Sequence, residues 1–186
     1  MADSVKVAVR IRPLNGRERE RGCRMVVDQP SLTEPQIVIG NGISGKPEAF
    51  TFNYVFGASD GQELLYESAV RPLLGKLYAG YNVTILAYGQ TGSGKTFTMG
   101  TNYDGSEDLG GMGVIPRAII DIFERIEETR GESETKVACS FMELYQENLY
   151  DLLSEKGSGR EDRVVDIREA NNQIVIPGLT EIPMRS

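Results

Sequence analysis

Val83-Thr-Ile-Leu-Ala-Tyr-Gly-Gln-Thr-Gly-Ser-Gly-Lys-Thr96 is the stretch on which the fold turns. Its first six residues are a β-prone run with no polar face, the pattern of a strand covered on both sides in an α/β sheet. The run ends at Gly89, and Gly89 to Thr96 matches G-x-x-x-x-G-K-[ST]. A phosphate chain needs this arrangement. Glycines let backbone amides turn inward on the anion, the lysine reaches the outer phosphates, and the threonine hydroxyl ligates Mg²⁺ at a helix start. A buried-type strand leading into the motif supports a phosphate-binding loop over a merely structural glycine-rich turn.

Upstream, Val5, Val7, Val9 and Ile11 alternate with Lys6, Ala8, Arg10 and Arg12 until Pro13, which predicts a half-buried strand. Residues 14–36 are polar and turn-rich. Gln36–Ile39 is a short strand candidate, and Phe50–Phe56 has strand composition. Asp60 with Glu63 reads as a capping box that opens a helix through Leu64, Leu65, Val70, Leu73, Leu74 and Leu77, with a kink at Pro72 and a stop at Gly80.

Downstream, residues 101–113 form a glycine-rich acidic loop. Ile115, Ala118, Ile119, Ile122, Phe123 and Ile126 then recur at helical spacing, with Pro116 near the first turn. Residues 136–146 read as one long strand. Residues 164–168 and 173–176 read as two short strands around a turn at Asn171-Asn172.

The 186 residues suit one domain or a piece of a larger one. The content, 40% hydrophobic and 25% charged, is that of a folded chain rather than a disordered one. No apolar run approaches the roughly 20 residues of a membrane helix, and no basic segment leads into an apolar one at the N-terminus. Membrane and secreted classes are thereby excluded, and the sequon Asn82-Val83-Thr84 reads as plain sequence. With no histidine, Cys23 and Cys139 cannot form a His/Cys metal site or a Cys/His nucleophile pair, and reduced thiols are expected.

Net charge is −7, yet residues 1–25 hold seven Lys/Arg against three Asp/Glu, which is +4, leaving −11 for the rest. An acidic chain is a poor nucleic-acid binder. Its basic start is either a solvated strand and loop or a surface for a phosphate-bearing ligand.

Nucleotide hydrolysis also needs an aspartate at a strand end and a group that positions water. Asp108-Leu-Gly-Gly111 has D-x-x-G spacing but is preceded by Asp104-Gly-Ser-Glu107 instead of an apolar strand. Asp121 falls on the solvent side of the predicted helix, and Asp166 follows only Val164-Val165. Each is read as structural.

Beyond the phosphate loop, the sequence resembles a kinesin motor domain in five ordered blocks. Lys6-Val-Ala-Val-Arg-Ile-Arg-Pro13 is similar to the family's first strand with its R-x-R-P signature, and Phe50–Phe56 to its F-x-F-D-x-V-F segment. Gly80–Gly100 is similar to the family signature throughout, and Gly113–Arg117 and Ser140–Leu153 resemble the next two blocks. Within the family, Gly22–Met25 and Glu34–Gly40 look most like the chromokinesin branch.

The resemblance implies an α/β P-loop NTPase fold, with a central, mostly parallel-type mixed sheet flanked by helices, in which ATP binding and hydrolysis drive movement along microtubules. Carried over residue by residue, Arg10, Arg12 and Pro13 would line the adenine side, with Phe97 packing on the base. Gly89, Gln90, Thr91, Gly92, Ser93 and Gly94 would hold the phosphates, with Lys95 on the outer ones and Thr96 on Mg²⁺. The implied partner is the microtubule, with no nucleic acid or membrane contact, and the implied location is the cytoplasm and its cytoskeleton.

Two departures stand out. Asn53 occupies a usual Asp position, and residues 1–186 do not reach the family's N-x-x-S-S-R-S-H and D-L-A-G-S-E segments. The chain is expected to be the first half of a single motor domain with no second domain, inactive alone. Strands of the second half would lie on both sides of residues 83–88. The alternative is a natural short form that binds nucleotide or a partner without catalysis.

Overall fold

The computed structural model describes residues 5–31, 33–40, 45–101, 109–131, 134–155 and 159–185. It divides into two units, Met1–Glu124 and Arg125–Ser186.

In the first unit, β1 (Ala8–Arg10) pairs in parallel with β5 (Tyr54–Phe56), and Arg10 lies opposite Phe56. The pairing is longer than the strands themselves. Ile11 donates its amide to the Phe56 carbonyl at 2.8 Å, and Val7 donates to the Asn53 side-chain oxygen at 2.8 Å. Asn53 thus supplies, without charge, the acceptor that an aspartate would offer. The alternating run is buried less evenly than its pattern predicts, for Val5 is 88% exposed. A separate antiparallel meander is formed by β2 (Val27–Asp28), β3 (Gln36–Ile39) and β4 (Glu48–Thr51).

The polar stretch after Pro13 holds an unexpected helix, α1 (Gly16–Glu20). Its N-cap Asn15 and Glu18 form a reciprocal capping box. The box expected at Asp60 and Glu63 does not form. Asp60 instead accepts from the Gly57 amide at 2.7 Å, and Gly61, which has no side chain, is the N-cap of α2 (Gln62–Leu65). The short polar side chain satisfied a turn before the helix rather than the helix itself.

A π turn over Tyr66–Val70 links α2 to α3 (Arg71–Tyr78), which carries Pro72 in its first turn. Proline has no amide to donate back along the helix, and the wider turn just before it absorbs the disruption expected there. The helix stops before Gly80, whose φ is +88°. Next come α4 (Lys95–Met99) and the long α5 (Val114–Glu128), which covers the predicted helical repeat; the boundary between the units falls within α5. The core gathers Phe56, Leu65, Tyr66, Val70, Leu74 and Val114, with Ile85, Met99, Ala118 and Ile122 against it.

Asp121 corrects its predicted placement: it does not face solvent. Its carboxylate accepts from the Tyr66 hydroxyl at 2.8 Å and lies 3.4 Å from Arg71 Nε, which ties α5 to the helices before it. Burial, and then the hydrogen bond to Asp121, push the Tyr66 hydroxyl pKa above its ordinary value.

Residues 83–88 also depart from expectation. They form no strand, and their side chains alternate in burial instead of being covered on both sides; Leu86 is 84% and Tyr88 95% exposed. A buried strand needs neighbours on both edges, and no described strand pairs with this one.

In the second unit the single long strand expected over 136–146 is two, β6 (Val137–Cys139) and β7 (Met142–Tyr145). The chain changes sheet between them. β6 pairs with β12 (Ile182–Met184), whereas β7 pairs with β8 (Asn148–Asp151), itself paired with β9 (Val164–Val165). The β7–β8 hairpin turns at Gln146 and Glu147, both at positive φ, which carry no Asn-Gly signal for the turn. Asn171 and Asn172 do turn a hairpin, between β10 (Arg168–Ala170) and β11 (Gln173–Val175). The run 164–168 is therefore divided between two sheets. Buried Asp151 accepts from the Leu153 and Thr180 amides at 3.0 and 2.8 Å, holding the ends of this unit's loops together.

All pairing among the described strands is antiparallel except β1–β5. No helix of the described residues is long and apolar enough to cross a membrane.

Candidate functional site

The loop from Gly89 to Gly94 leads directly into α4, and Gly89, Gly92 and Gly94 all have positive φ. Gly94 is the N-cap of α4 in left-handed geometry, at φ +101°, and provides no side-chain cap. Among the described residues, no N-cap side chain bonds the first amides of this helix. Ser93 donates its amide to the Gln90 carbonyl at 3.1 Å, closing the turn through Thr91 and Gly92. The Lys95 ammonium bends back over the loop, donating to the Gly89 and Gln90 carbonyls at 2.7 and 2.9 Å. Thr96 is exposed in the first turn of α4. Lysine charge, glycine backbone and threonine hydroxyl are therefore within one helical turn.

The far end of α4 is fixed by a glycine pair. A Cβ on Gly100 would come within 2.7 Å of the Gly113 backbone, so only two bare backbones allow α4 to end against the start of α5. This is the physical reason for the glycine of Gly113-Val-Ile-Pro-Arg117.

Arg10, on β1, lies beneath the loop helix. It donates to the Gln62 side-chain oxygen at 2.6 Å, the Thr98 hydroxyl at 3.0 Å and the Asp60 carbonyl at 3.3 Å. Its guanidinium also lies over the Phe97 ring, 5.1 Å from the centroid. Burial lowers its pKa from the ordinary value, against the opposing charge of Asp60. Gln62 is buried and donates to the Phe97 carbonyl at 2.5 Å, joining α2, β1 and α4. No sequence pattern marked Gln62, because its importance lies in contacts distant in the chain.

Arg12 faces a different partner. It makes a two-pronged pair with Glu18, at 2.6 and 3.0 Å, and donates to the Pro13 carbonyl. The hydrogen bond from Arg12, and then that from the Asn15 amide, lower the Glu18 pKa to about 2. The Arg12 side chain passes 4.0 Å from where a Cβ on Gly94 would sit.

Arg10, Arg12, Pro13, Gly94, Lys95 and Phe97 all line one cavity of about 450 Å³, within the range of small-molecule and cofactor sites. Leu73 and Ile85 are among the apolar side chains that also line it. Phe97 is 54% exposed, leaving ring surface for a planar ligand. The lining is chemically compatible with a nucleotide, since it combines the Lys95 ammonium, two arginines, a proline and an aromatic ring.

The candidate aspartates do not gather here. Asp121 is bound to Tyr66 and Arg71, and Asp166 is exposed beside Arg168 in the second unit. Asp108 lies outside the described residues. Among those residues no group of three or more His, Cys, Asp or Glu could hold a metal.

The kinesin motor domain family model matches residues 10–186. The rice (Oryza sativa subsp. japonica) kinesin-like protein KIN-4C is 39% identical over 99% of this chain and 15% of its own length. The Xenopus laevis chromosome-associated kinesin KIF4 is 42% identical over 95% of this chain and 14% of its own, in line with the expected likeness to chromokinesins. A solved fast kinesin superposes with a TM-score of 0.86 at 34% identity, covering 98% of this chain and 49% of that one. The chain thus spans less than a fifth of those two curated relatives. On the family match over residues 10–186 and these identities, the chain belongs to the kinesin motor domain family.

Proposed function

We propose that residues 1–186 are the nucleotide-binding part of a microtubule motor, holding ATP with Mg²⁺ between Gly89–Thr96 and the wall of Arg10, Arg12, Pro13 and Phe97. The observation that supports this reading is that Ser93, Gly94 and Lys95 of the loop line one cavity with Arg10, Arg12, Pro13 and Phe97, whereas Gly89, Gln90, Thr91, Gly92 and Thr96 lie outside its lining. The solved relative is described in terms of its ATPase mechanism and its interactions with microtubules. When bound, Mg·ATP supplies the phosphoanhydride whose cleavage drives the motor.

The chain's own residues bind and orient. The backbone of Gly92, Gly94 and Lys95 would hold the phosphate chain, the Lys95 ammonium would exchange the Gly89 and Gln90 carbonyls for the outer phosphates, and the Thr96 hydroxyl would hold Mg²⁺. Phe97 offers its exposed ring to the base. Gln62 and Arg10 keep Phe97 in place by holding the backbone of α4. None of these groups activates water. Binding without a water-positioning group gives little transition-state stabilisation, so residues 1–186 alone turn over no ATP.

In this reading the segment is part of one motor domain, working in the cytoplasm on the cytoskeleton, with no nucleic acid or membrane contact of its own. A second reading, a short form that binds nucleotide or a partner without catalysis, is favoured by the engagement of Asp121 and Asp166 elsewhere. Sequencing the transcript past codon 186 separates them. An open frame encoding S-S-R-S-H supports the motor, and an immediate stop supports the short form. For the motor reading, ATP turnover by the whole natural protein must rise with added microtubules and be lost in Thr96→Ala. Turnover by residues 1–186 alone that rises with microtubules would contradict the division of labour.

A further inference from the structure

Arg12 stands beside the phosphate loop, yet its guanidinium is turned toward Glu18 rather than the cavity. Glu18 takes both prongs, at 2.6 and 3.0 Å. Its own position is set from a second direction, because the same carboxylate accepts from the Asn15 amide at 2.8 Å while the Asn15 side chain accepts from the Glu18 amide at 2.9 Å. Arg12 Cδ lies 4.0 Å from where a Cβ on Gly94 would sit, and Arg12 lines the same cavity as Lys95. A long cation on a flexible stem next to a polyanion site would otherwise be drawn to the anion.

We propose that Glu18 is a positioning residue: it holds Arg12 as a neutralised wall on the base side of the site and keeps its charge off the phosphates. This deepens the nucleotide reading above and rests on it. With Glu18 in place, Lys95 is the one cation of the phosphate loop, and the phosphates gain no charge contact from Arg12 that would slow nucleotide departure. Without the Glu18 charge, Arg12 becomes a second phosphate cation. The design trades affinity for release, as a site that must empty between cycles requires.

Glu18→Gln removes the charge but keeps an oxygen for the Asn15 amide, since glutamine serves equally in a capping box, so the local fold is preserved. The test measures Mg·ADP and Mg·ATP affinity by calorimetry on the whole natural protein, in wild type, Glu18→Gln, Arg12→Ala/Glu18→Gln and Lys95→Ala forms. Glu18→Gln is expected to bind both nucleotides roughly three- to tenfold more tightly at low salt, with a gain that shrinks as salt is raised. The gain must vanish in Arg12→Ala/Glu18→Gln. Unchanged or weaker binding by Glu18→Gln, with Lys95→Ala still defective, overturns the positioning role and leaves the site intact. Wild-type affinity in Lys95→Ala overturns the nucleotide reading and this inference with it.

Discussion

The buried Gln62 amide accepts from Arg10 at 2.6 Å and donates to the Phe97 carbonyl at 2.5 Å, so one side chain holds both a strand arginine and the loop helix. Gln62→Ala removes both bonds and leaves a part-buried guanidinium and a carbonyl short of partners. A loss of roughly 2–3 kcal/mol is expected, read as a lower urea midpoint of the whole natural protein. Weaker nucleotide binding should accompany it, because Phe97 loses its anchor. Full stability in Gln62→Ala would show that solvent replaces the bonds.

The Glu18 carboxyl titrates at about 2 when folded, against an ordinary 4.5. A depressed carboxyl pKa adds stability that is present above the unfolded value and lost as pH falls through the folded one. The stability difference between wild type and Glu18→Gln should therefore be constant above about pH 5.5 and shrink progressively toward pH 2. Urea midpoints of the whole natural protein at several pH values test this. A difference that does not change from pH 6 to pH 2 would remove the Arg12–Glu18 pair as its source.

No described strand pairs with residues 83–88, and Leu86 and Tyr88 are 84% and 95% exposed. An apolar segment with open backbone edges favours aggregation. Purified residues 1–186 are expected to be poorly soluble or to unfold without a cooperative transition. A monomeric sample with one sharp thermal transition and wide amide dispersion by NMR would contradict this.

Legibility in the sequence followed the range over which each signal acts. The phosphate loop was readable because its glycines, lysine and threonine lie within eight residues, and α5 because its apolar repeat runs for several turns. Asp60 and Asn15 show the limit. Both are short polar side chains before a run of helix-compatible residues, and only packing decided that Asn15 caps a helix while Asp60 closes a turn. Residues 83–88 were misread for a related reason: hydrophobicity reports what a segment requires, and its neighbours must come from elsewhere in the fold. The split of 136–146 between β6 and β7 likewise depends on partners distant in sequence, β12 and β8.

The central claim is that Gly89–Thr96 binds the phosphates of ATP, with Lys95 as its cation. Its most direct test is calorimetric titration of Mg·ATP into the whole natural protein and its Lys95→Ala variant. Loss of an ammonium–phosphate contact is expected to weaken binding by a factor of roughly ten to a hundred or more. Equal affinity in the two proteins would contradict the account.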